Sequence, residues 1–172
     1  MRRNSFSILL PALLAAGCAT SQPAPPQNLP TTARLFPPDA LVIQRGVLSV
    51  RGRQFSLNGY VAKSETRGLR LVMTENFGGL LADVLVKSDG KVFVMQSKPP
   101  FRPAWVERYI AADLKCVFDD ALATNCPVQV LSPMHFVLER RGYKLDLQTV
   151  EVKPGPQPAA LFDPAVRAGG KP

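Results

Sequence analysis

The sequence contains few of the residues that carry most metal and nucleophilic chemistry. Its 172 residues include one histidine, three cysteines and one tryptophan, and its 13 acidic residues are outnumbered by 21 Lys and Arg. This inventory leaves little material for a metal site or for a nucleophilic active site. Apolar residues still make up 46% of the chain, which excludes wholesale disorder and is enough for one packed domain of ordinary size.

The N-terminus has the pattern of an export signal. Residues 1–3 are a basic start, and the mostly apolar run 6–16 is too short to span a bilayer as a mature helix. The run ends in Leu-Ala-Ala-Gly-Cys at 14–18, which resembles the lipobox of bacterial lipoproteins. The resemblance implies cleavage after residue 17 and covalent lipid on Cys18, with no other cofactor. The alternatives are an ordinary export signal with a chance cysteine, or a short buried helix.

Lipidation of Cys18 predicts a location at the outer membrane. Three acyl chains would anchor the mature chain permanently, because one chain of myristoyl length binds only marginally, at about 0.8 kcal/mol per buried CH₂. In enteric bacteria an Asp after the lipidated cysteine favours the inner membrane, and Ala19 stands at that position here. We therefore expect a lipid-anchored domain at the outer membrane that faces the periplasm.

The chain stays basic after the signal is removed. Residues 1–17 contain two arginines and no acidic residue, so the mature charge is (21 − 2) − 13 = +6. For an exported protein this charge favours anionic lipid head groups over nucleic acid as partners. A merely solvated basic surface is the alternative. Both interpretations apply to the arginines near strand ends, which are Arg51, Arg53, Arg67 and Arg70.

Proline-rich segments flank one candidate domain. Residues 1–17 are the signal peptide, and 18–38 combine the lipidated cysteine with a Pro-rich tether that reaches about 3 Å per residue in polyproline geometry. Residues 39–153 form the folded domain. Residues 154–172 are a Pro/Gly-rich C-terminal tail.

Short alternating segments in this domain predict a mainly β fold. Residues 103–116 have the apolar spacing of one amphipathic helix, and Pro103 suits its first turn. We expect an α+β domain in which this helix lies against the concave face of a curved antiparallel sheet, an incomplete barrel of about seven or eight strands. Apolar and polar residues alternate, between turn residues, in the runs 41–50, 54–63, 69–74, 80–87, 91–97, 128–131, 135–140 and 143–150.

The first half of the domain resembles the LolA/LolB group of bacterial lipoprotein carriers. The best local match is the strand and loop LRLVMTENFG at 69–78, and the strand at 81–86 continues the parallel. In that family an incomplete barrel lidded by helices holds acyl chains in an apolar hollow. In LolB an apolar residue of the matching loop enters the outer membrane, and Phe77 stands at that position. The chain also resembles small uncharacterised lipoproteins of the same fold.

The resemblance implies a membrane-inserting loop and an acyl-binding hollow. Phe77 and Leu80 would form the loop, and an aromatic side chain beside a Gly-Gly pair at a hairpin tip is itself expected to be exposed. For Phe77 the alternative is packing back onto the core. For the two aromatic residues on the helix the alternative is plain core packing. The candidate lining residues of the hollow are Phe55, Leu57, Leu71, Met73, Trp105 and Tyr109.

Two cysteines remain once Cys18 is lipidated. Cys116 and Cys126 are an even number in an oxidising compartment, which predicts a structural disulfide that closes a loop after the helix. A redox-active pair is the alternative, but such pairs usually have two residues between the thiols rather than nine.

Three functions fit these features to different degrees. The first is a non-enzymatic binding protein for membrane lipids, acyl chains or lipidated protein cargo. The second is an envelope structural or adaptor lipoprotein that binds an unidentified protein and has no lipid cavity. The third is a hydrolase using His135 with Ser132 or Ser97, which the missing nucleophile elbow disfavours. We expect no metal site, and a solvated loop is the default for the acidic pair at 119–120.

Overall fold

One open antiparallel sheet forms the body of the protein. The computed structural model describes residues 35–119 and 126–166. In this part of the chain the strand order is β5-β4-β3-β2-β1-β8-β7-β6, so β5 and β6 are the two edges. The strands are β1 (Ala40–Val50), β2 (Arg53–Ser64), β3 (Gly68–Glu75), β4 (Leu80–Lys87), β5 (Val92–Ser97), β6 (Val128–Ser132), β7 (His135–Arg140) and β8 (Tyr143–Pro154). The predicted fold class is confirmed.

One helix, α1, covers the concave face of this sheet at residues 103–118. It begins with the short turn Pro103–Trp105, continues as a π-helical turn at Val106–Ile110 and ends as the regular helix Ala111–Phe118. Proline fits the first turn because its missing N–H has no helical partner there. The buried face of the helix packs into the main core against inward side chains of β1 to β4, β7 and β8. The apolar spacing in the sequence therefore locates the helix correctly.

Inward and outward residues alternate clearly on β2. Phe55, Leu57, Gly59 and Val61 face the helix, while the neighbours between them face out. β2 pairs with β1 through a two-residue turn in which Arg51 and Gly52 have φ values of 48° and 76°. Two positive φ values are characteristic of the type I′ turns that match the twist of paired strands.

The C-terminal segment packs on the convex face of the sheet. After β8, the 3₁₀ turn Ala159–Phe162 places Phe162, only 2% exposed, against Ala62 and Leu85. The Nζ of Lys87 donates a hydrogen bond of 2.6 Å to the carbonyl oxygen of Phe162. The described part of the expected tail, up to residue 166, therefore covers the sheet instead of extending away from it.

Arg70 holds this segment in place. It lies on the convex face of β3, where its guanidinium forms two hydrogen bonds of 2.9 and 2.7 Å with Asp83 on β4. The remaining donors reach the carbonyl oxygens of Leu161 and Val166, at 2.9 and 2.7 Å. The expectation that Arg70 contacts lipid phosphates or lies on a solvated face is wrong, because the side chain is 3% exposed and fully engaged within the fold.

The strands define two ends of the domain. We call one the tip end, which has the turns 51–52, 76–79 and 141–142 and the segment 98–102 before the helix. The opposite, base end has the turns 65–67, 88–91 and 133–134 and the start of β1. Any tether that precedes β1 therefore joins the domain at the base end.

Candidate binding site on the concave face

A small cavity lies between the helix and the concave face of the sheet. Its volume is about 40 Å³, which is room for about three water molecules. Three of the predicted lining residues, Leu57, Leu71 and Met73, line this inner cavity. The lining is apolar apart from Gln44 and Asp113, and its other members are Gly59, Val61, Ile110, Leu114, Val117, Phe118, Leu145 and Leu147.

A larger cleft opens at the tip end. Its volume is about 280 Å³, close to the lower limit of about 300 Å³ for typical ligand pockets. The predicted lining residue Phe55 lies here, and so does the predicted loop residue Phe77. The rest of this tip cleft is formed by Ser56, Glu75, Asn76, Leu81 and Pro100.

The tip cleft and the inner cavity follow one another along the inward face of β2. Phe55 lines the cleft, while Leu57 and then Val61 line the cavity. The distance from the first to the last of these residues along the strand is about 20 Å. Leu57 and Met73 are buried and are the cavity residues of β2 and β3 nearest to the tip end. An extended apolar chain that entered at the tip would meet these two side chains first.

The two helix aromatics that sequence analysis placed in the hollow lie elsewhere. Trp105 packs 5.6 Å from Tyr109 and 5.4 Å from Tyr143, measured between ring centroids. Phe101 continues this cluster towards Phe55. Neither Trp105 nor Tyr109 lines the cavity or the cleft, so the predicted set of lining residues included two that lie elsewhere. Each ring is held by its aromatic neighbours instead.

A buried carboxyl group stands at the edge of the inner cavity. Asp113 is 3% exposed and accepts hydrogen bonds from the hydroxyl of Tyr143 and, at 2.7 Å, from the Nε of Arg140. Burial raises the pKa of the Asp113 carboxyl, and the two hydrogen bonds only partly offset this effect. Burial, followed by the charge of Asp113, also raises the pKa of Tyr143. An acidic residue on the apolar face of a helix is the sequence signal that could have identified this site.

The loop between β3 and β4 exposes an aromatic side chain completely. Phe77 is 100% exposed, and the next residue, Gly78, has a φ of 85° that favours glycine. The turn is closed by backbone hydrogen bonds between Glu75 and Gly79 and between Gly78 and Glu75, at 2.8 and 2.9 Å. Phe77 therefore does not pack back onto the core. Leu80, the second predicted loop residue, is half-buried at the start of β4.

The geometry does not assemble the hydrolase that was considered from the sequence. Ser132 stands opposite His135 in the register of β6 and β7, but no hydrogen bond joins their side chains among the described residues: His135 pairs with Asp146 through Nε2 and Oδ1 at 2.7 Å, and the hydroxyl of Ser132 accepts the backbone N–H of Met134. Ser97 lies on β5, at the opposite edge of the sheet from this hairpin. Among the described residues no three His, Cys, Asp or Glu side chains form a metal site.

The predicted disulfide is confirmed. Cys116 on the helix is bonded to Cys126, and their Cα atoms are 5.4 Å apart. The bond ties the C-terminal part of the helix to the segment before β6. The other cysteine, Cys18, lies outside the described residues.

Comparisons with known proteins leave the family open. No protein-family model matches the chain, and no curated protein matches it. No helix in the described ranges is long and apolar enough to cross a membrane. The resemblance to the LolA/LolB group and the lipid anchor remain predictions from the sequence.

Proposed function

We propose that this protein is a lipid-anchored, periplasm-facing binding protein that accommodates an acyl chain of a lipid or of a lipidated protein at the outer membrane. The observation that carries the proposal is the tip cleft, whose exposed lining surface is mainly apolar, beside the fully exposed Phe77 and followed along β2 by the inner cavity. Each CH₂ group that moves from water into such a space gains about 0.8 kcal/mol.

The acyl chain enters through the tip cleft in this proposal. Leu57 and Met73 move aside, and the unbranched thioether side chain of Met73 is well suited to repacking around a guest. The inner cavity of about 40 Å³ then widens as the helix shifts from the sheet. The disulfide from Cys116 to Cys126 holds the far part of the helix, so its first turns, including the π-helical one, move most.

Phe77 brings the mouth of the cleft to the bilayer. An exposed aromatic ring on an anchored protein gains free energy by entering the interfacial region of the membrane. Because the same ring borders the tip cleft, insertion places the entrance where acyl chains are available.

Palmitate binding tests this proposal. Residues 19–172, which include every described residue, are titrated with palmitate and examined by native mass spectrometry. Phe55→Asp places a charge in the inward-facing lining of the tip cleft, and Gly59→Val adds methyl groups on the cavity side of β2. Both are expected to weaken binding at least tenfold. Gln54→Val, an outward position on the same strand, is the control and should bind as the wild type does.

An adaptor without a lipid cavity is the second candidate. The observation in its favour is that side chains already fill most of the space under the helix, leaving only about 40 Å³. Absence of palmitate adducts from the wild-type protein, under conditions in which a known fatty-acid carrier retains them, would favour the adaptor.

A further inference from the structure

We infer that the tip end docks onto a bilayer of anionic phospholipid through a basic patch beside Phe77. This inference rests on the proposed function and adds the class of lipid and the residues that select it. The basic patch consists of Arg51, Arg53, Lys98, Arg102 and Arg141, all of them exposed.

The topology brings Arg51, Arg53 and Arg141 together from separate parts of the chain, and Lys98 and Arg102 lie at the same end of the sheet. Val50 pairs with Arg53 on one side and with Tyr143 on the other, so the turns 51–52 and 141–142 are neighbours. Adjacent strands lie about 4.8 Å apart, which puts the arginines of the two turns on one small surface. Arg102 follows Phe101, whose ring packs 6.1 Å from that of Phe55 at the start of β2.

The cations of the basic patch outnumber the acidic residues around them, of which Glu107 and Glu139 lie just outside the segments that form the patch. Across the segments 51–53, 75–79, 98–102 and 140–142, Glu75 is the one acidic residue. No patch residue takes part in an ion pair within the described residues. The neighbouring Arg140 is different, because it pairs with Asp113 inside the fold. The patch therefore projects its positive charge into solvent.

The base end is closer to balance, because its cations Lys63, Arg67, Lys87, Lys91, Lys115 and Lys153 stand with the acids Asp39, Glu65, Asp89 and Glu151. Its turn at 88–91 pairs Lys91 with Asp89 at 2.8 Å, and Lys153 near the end of β8 pairs with Glu151 at 3.4 Å. Glu65 accompanies Arg67 in the remaining charged turn. Since both ends are built from similar hairpins, the positive charge of the tip end is a property of that surface and not of the fold.

Arg51 occupies a backbone position that does not favour arginine. Its φ of 48° lies in the left-handed region, where the first residue of such a turn is normally Asn, Asp or Gly. Arginine there carries a conformational cost that Asn would relieve. A charge kept at an unfavourable turn position points to a role for the charge itself.

A bilayer is the occupant that matches both features of the tip end. An exposed aromatic side chain complements hydrocarbon just below head groups, and exposed cations complement anionic phosphates at the same surface. The tether can reach that surface: the 17 steps from residue 18 to residue 35 span up to about 53 Å in polyproline geometry, against about 36 Å for the 11 residues of β1. The tip can therefore turn to the membrane that holds the anchor.

Vesicle flotation of residues 19–172 tests the inference. The probe is phosphatidylcholine vesicles with and without phosphatidylglycerol, and the triple variant Arg51→Asn, Arg53→Gln, Arg141→Gln removes part of the patch. Each cation removed should lower the partition coefficient onto anionic vesicles roughly fivefold, so the triple variant should lower it about a hundredfold. The matched control Arg45→Gln, Arg67→Gln, Lys91→Gln removes the same charge elsewhere and should change partitioning by no more than a few-fold.

Two outcomes would overturn the inference. Equal binding of the wild type to neutral and anionic vesicles would exclude head-group charge as the selector. Equal losses in the two triple variants would mean that net charge, and not the patch, is responsible. Arg51→Asn alone should melt at or above the wild-type temperature, so a loss of binding by this variant cannot be ascribed to misfolding.

Palmitate binding separates the inference from the proposed function. The patch triple variant should still bind palmitate, because none of its residues lines the tip cleft or the inner cavity. If the wild type binds anionic vesicles but no palmitate, the proposed function fails and the docking surface stands. If it binds palmitate but not anionic vesicles, the docking surface fails alone.

Discussion

The two faces of the sheet are covered by different means, and this difference separates the rigid part of the protein from the adaptable part. On the convex face, the C-terminal segment is attached by directed hydrogen bonds from Arg70 and Lys87 to its carbonyl groups. On the concave face, the helix is attached mainly by apolar packing and leaves a cavity of about 40 Å³. Apolar packing is non-directional, so it can be exchanged for packing against a guest, whereas directed bonds to a buried charge cannot.

Each face also buries an aspartate. The ion pair of the aspartate on the convex face is closed to solvent, whereas the ion pair on the concave face is partly open to it. Asp83 is fully buried and takes two hydrogen bonds from Arg70, which is 3% exposed. Asp113 pairs with Arg140, which is 23% exposed and in contact with solvent. The first pair is closed on all sides. The second tolerates change, and it stands where the inner cavity would widen.

The largest effect is expected from breaking the convex pair. Asp83→Asn leaves the guanidinium of Arg70 buried without a counter-charge, so the free energy of unfolding should fall by about 3–5 kcal/mol. Urea unfolding followed by circular dichroism measures this loss. The double variant Arg70→Met, Asp83→Leu removes both charges and should recover part of this loss, because the carbonyl groups of Leu161 and Val166 still lose their donor. A loss below about 1 kcal/mol for Asp83→Asn would contradict the view that this face is rigid.

The same substitution on the concave face should be far milder. Because burial raises the pKa of Asp113, its ionised carboxyl is less favourable in the fold than in the unfolded chain, so the neutral side chain of Asn removes little stabilisation. At neutral pH we expect Asp113→Asn to change the free energy of unfolding by no more than about 1 kcal/mol, since Arg140 can turn to water.

The difference in stability between the wild type and Asp113→Asn should change with pH in a definite direction. Asp113 stabilises the fold fully below its unfolded pKa, near the ordinary value of 3.8, and this contribution is lost as the pH rises through the raised folded pKa. The stability of the wild type relative to Asp113→Asn should therefore fall from pH 4 upwards in unfolding experiments across a pH series. A relative stability that rises over this range would show that the carboxylate is the favoured form.

The strands and the helix could be predicted because the residue pattern that defines each of them lies within a short stretch of chain. Alternation located all eight strands, and the spacing of apolar residues from Pro103 located the helix. β8 extends past the predicted end at 150 to Pro154, since a register shift opposite Ile43 and Gln44 lets its pairing with β1 continue. Such a bulge leaves no clear mark on the alternation pattern.

The long-range contacts could not be predicted from the sequence in the same way. Proline and glycine after residue 154 indicate irregular backbone, but they do not indicate whether that backbone is packed. The isolated apolar pair at 161–162 was the available signal for docking. Likewise, Asp83 in the strand LLADVLVK, which is apolar apart from this residue and its terminal lysine, was the signal for a buried ion pair, yet its partner Arg70 is 13 residues away.

The smallest effect is expected where the concave face still has room. A Cβ atom at Gly59 would lie 3.5 Å from Leu71 and 3.8 Å from Gln44, which are ordinary contact distances, so alanine fits without displacing its neighbours. Gly59→Ala should raise the free energy of unfolding by about 0.5–1 kcal/mol, because alanine loses less backbone freedom on folding and fills part of the cavity. Gly46→Ala is the contrast: its Cβ would lie 2.7 Å from the side chain of Leu147 and 2.9 Å from the carbonyl oxygen of Asp146, so it should destabilise the fold.

If Gly59→Ala stabilises the fold and also weakens palmitate binding, the vacant space is kept at the expense of stability and the concave face is the binding face. If it stabilises the fold and palmitate binds as before, the inner cavity is a packing defect and any guest lies in the tip cleft alone.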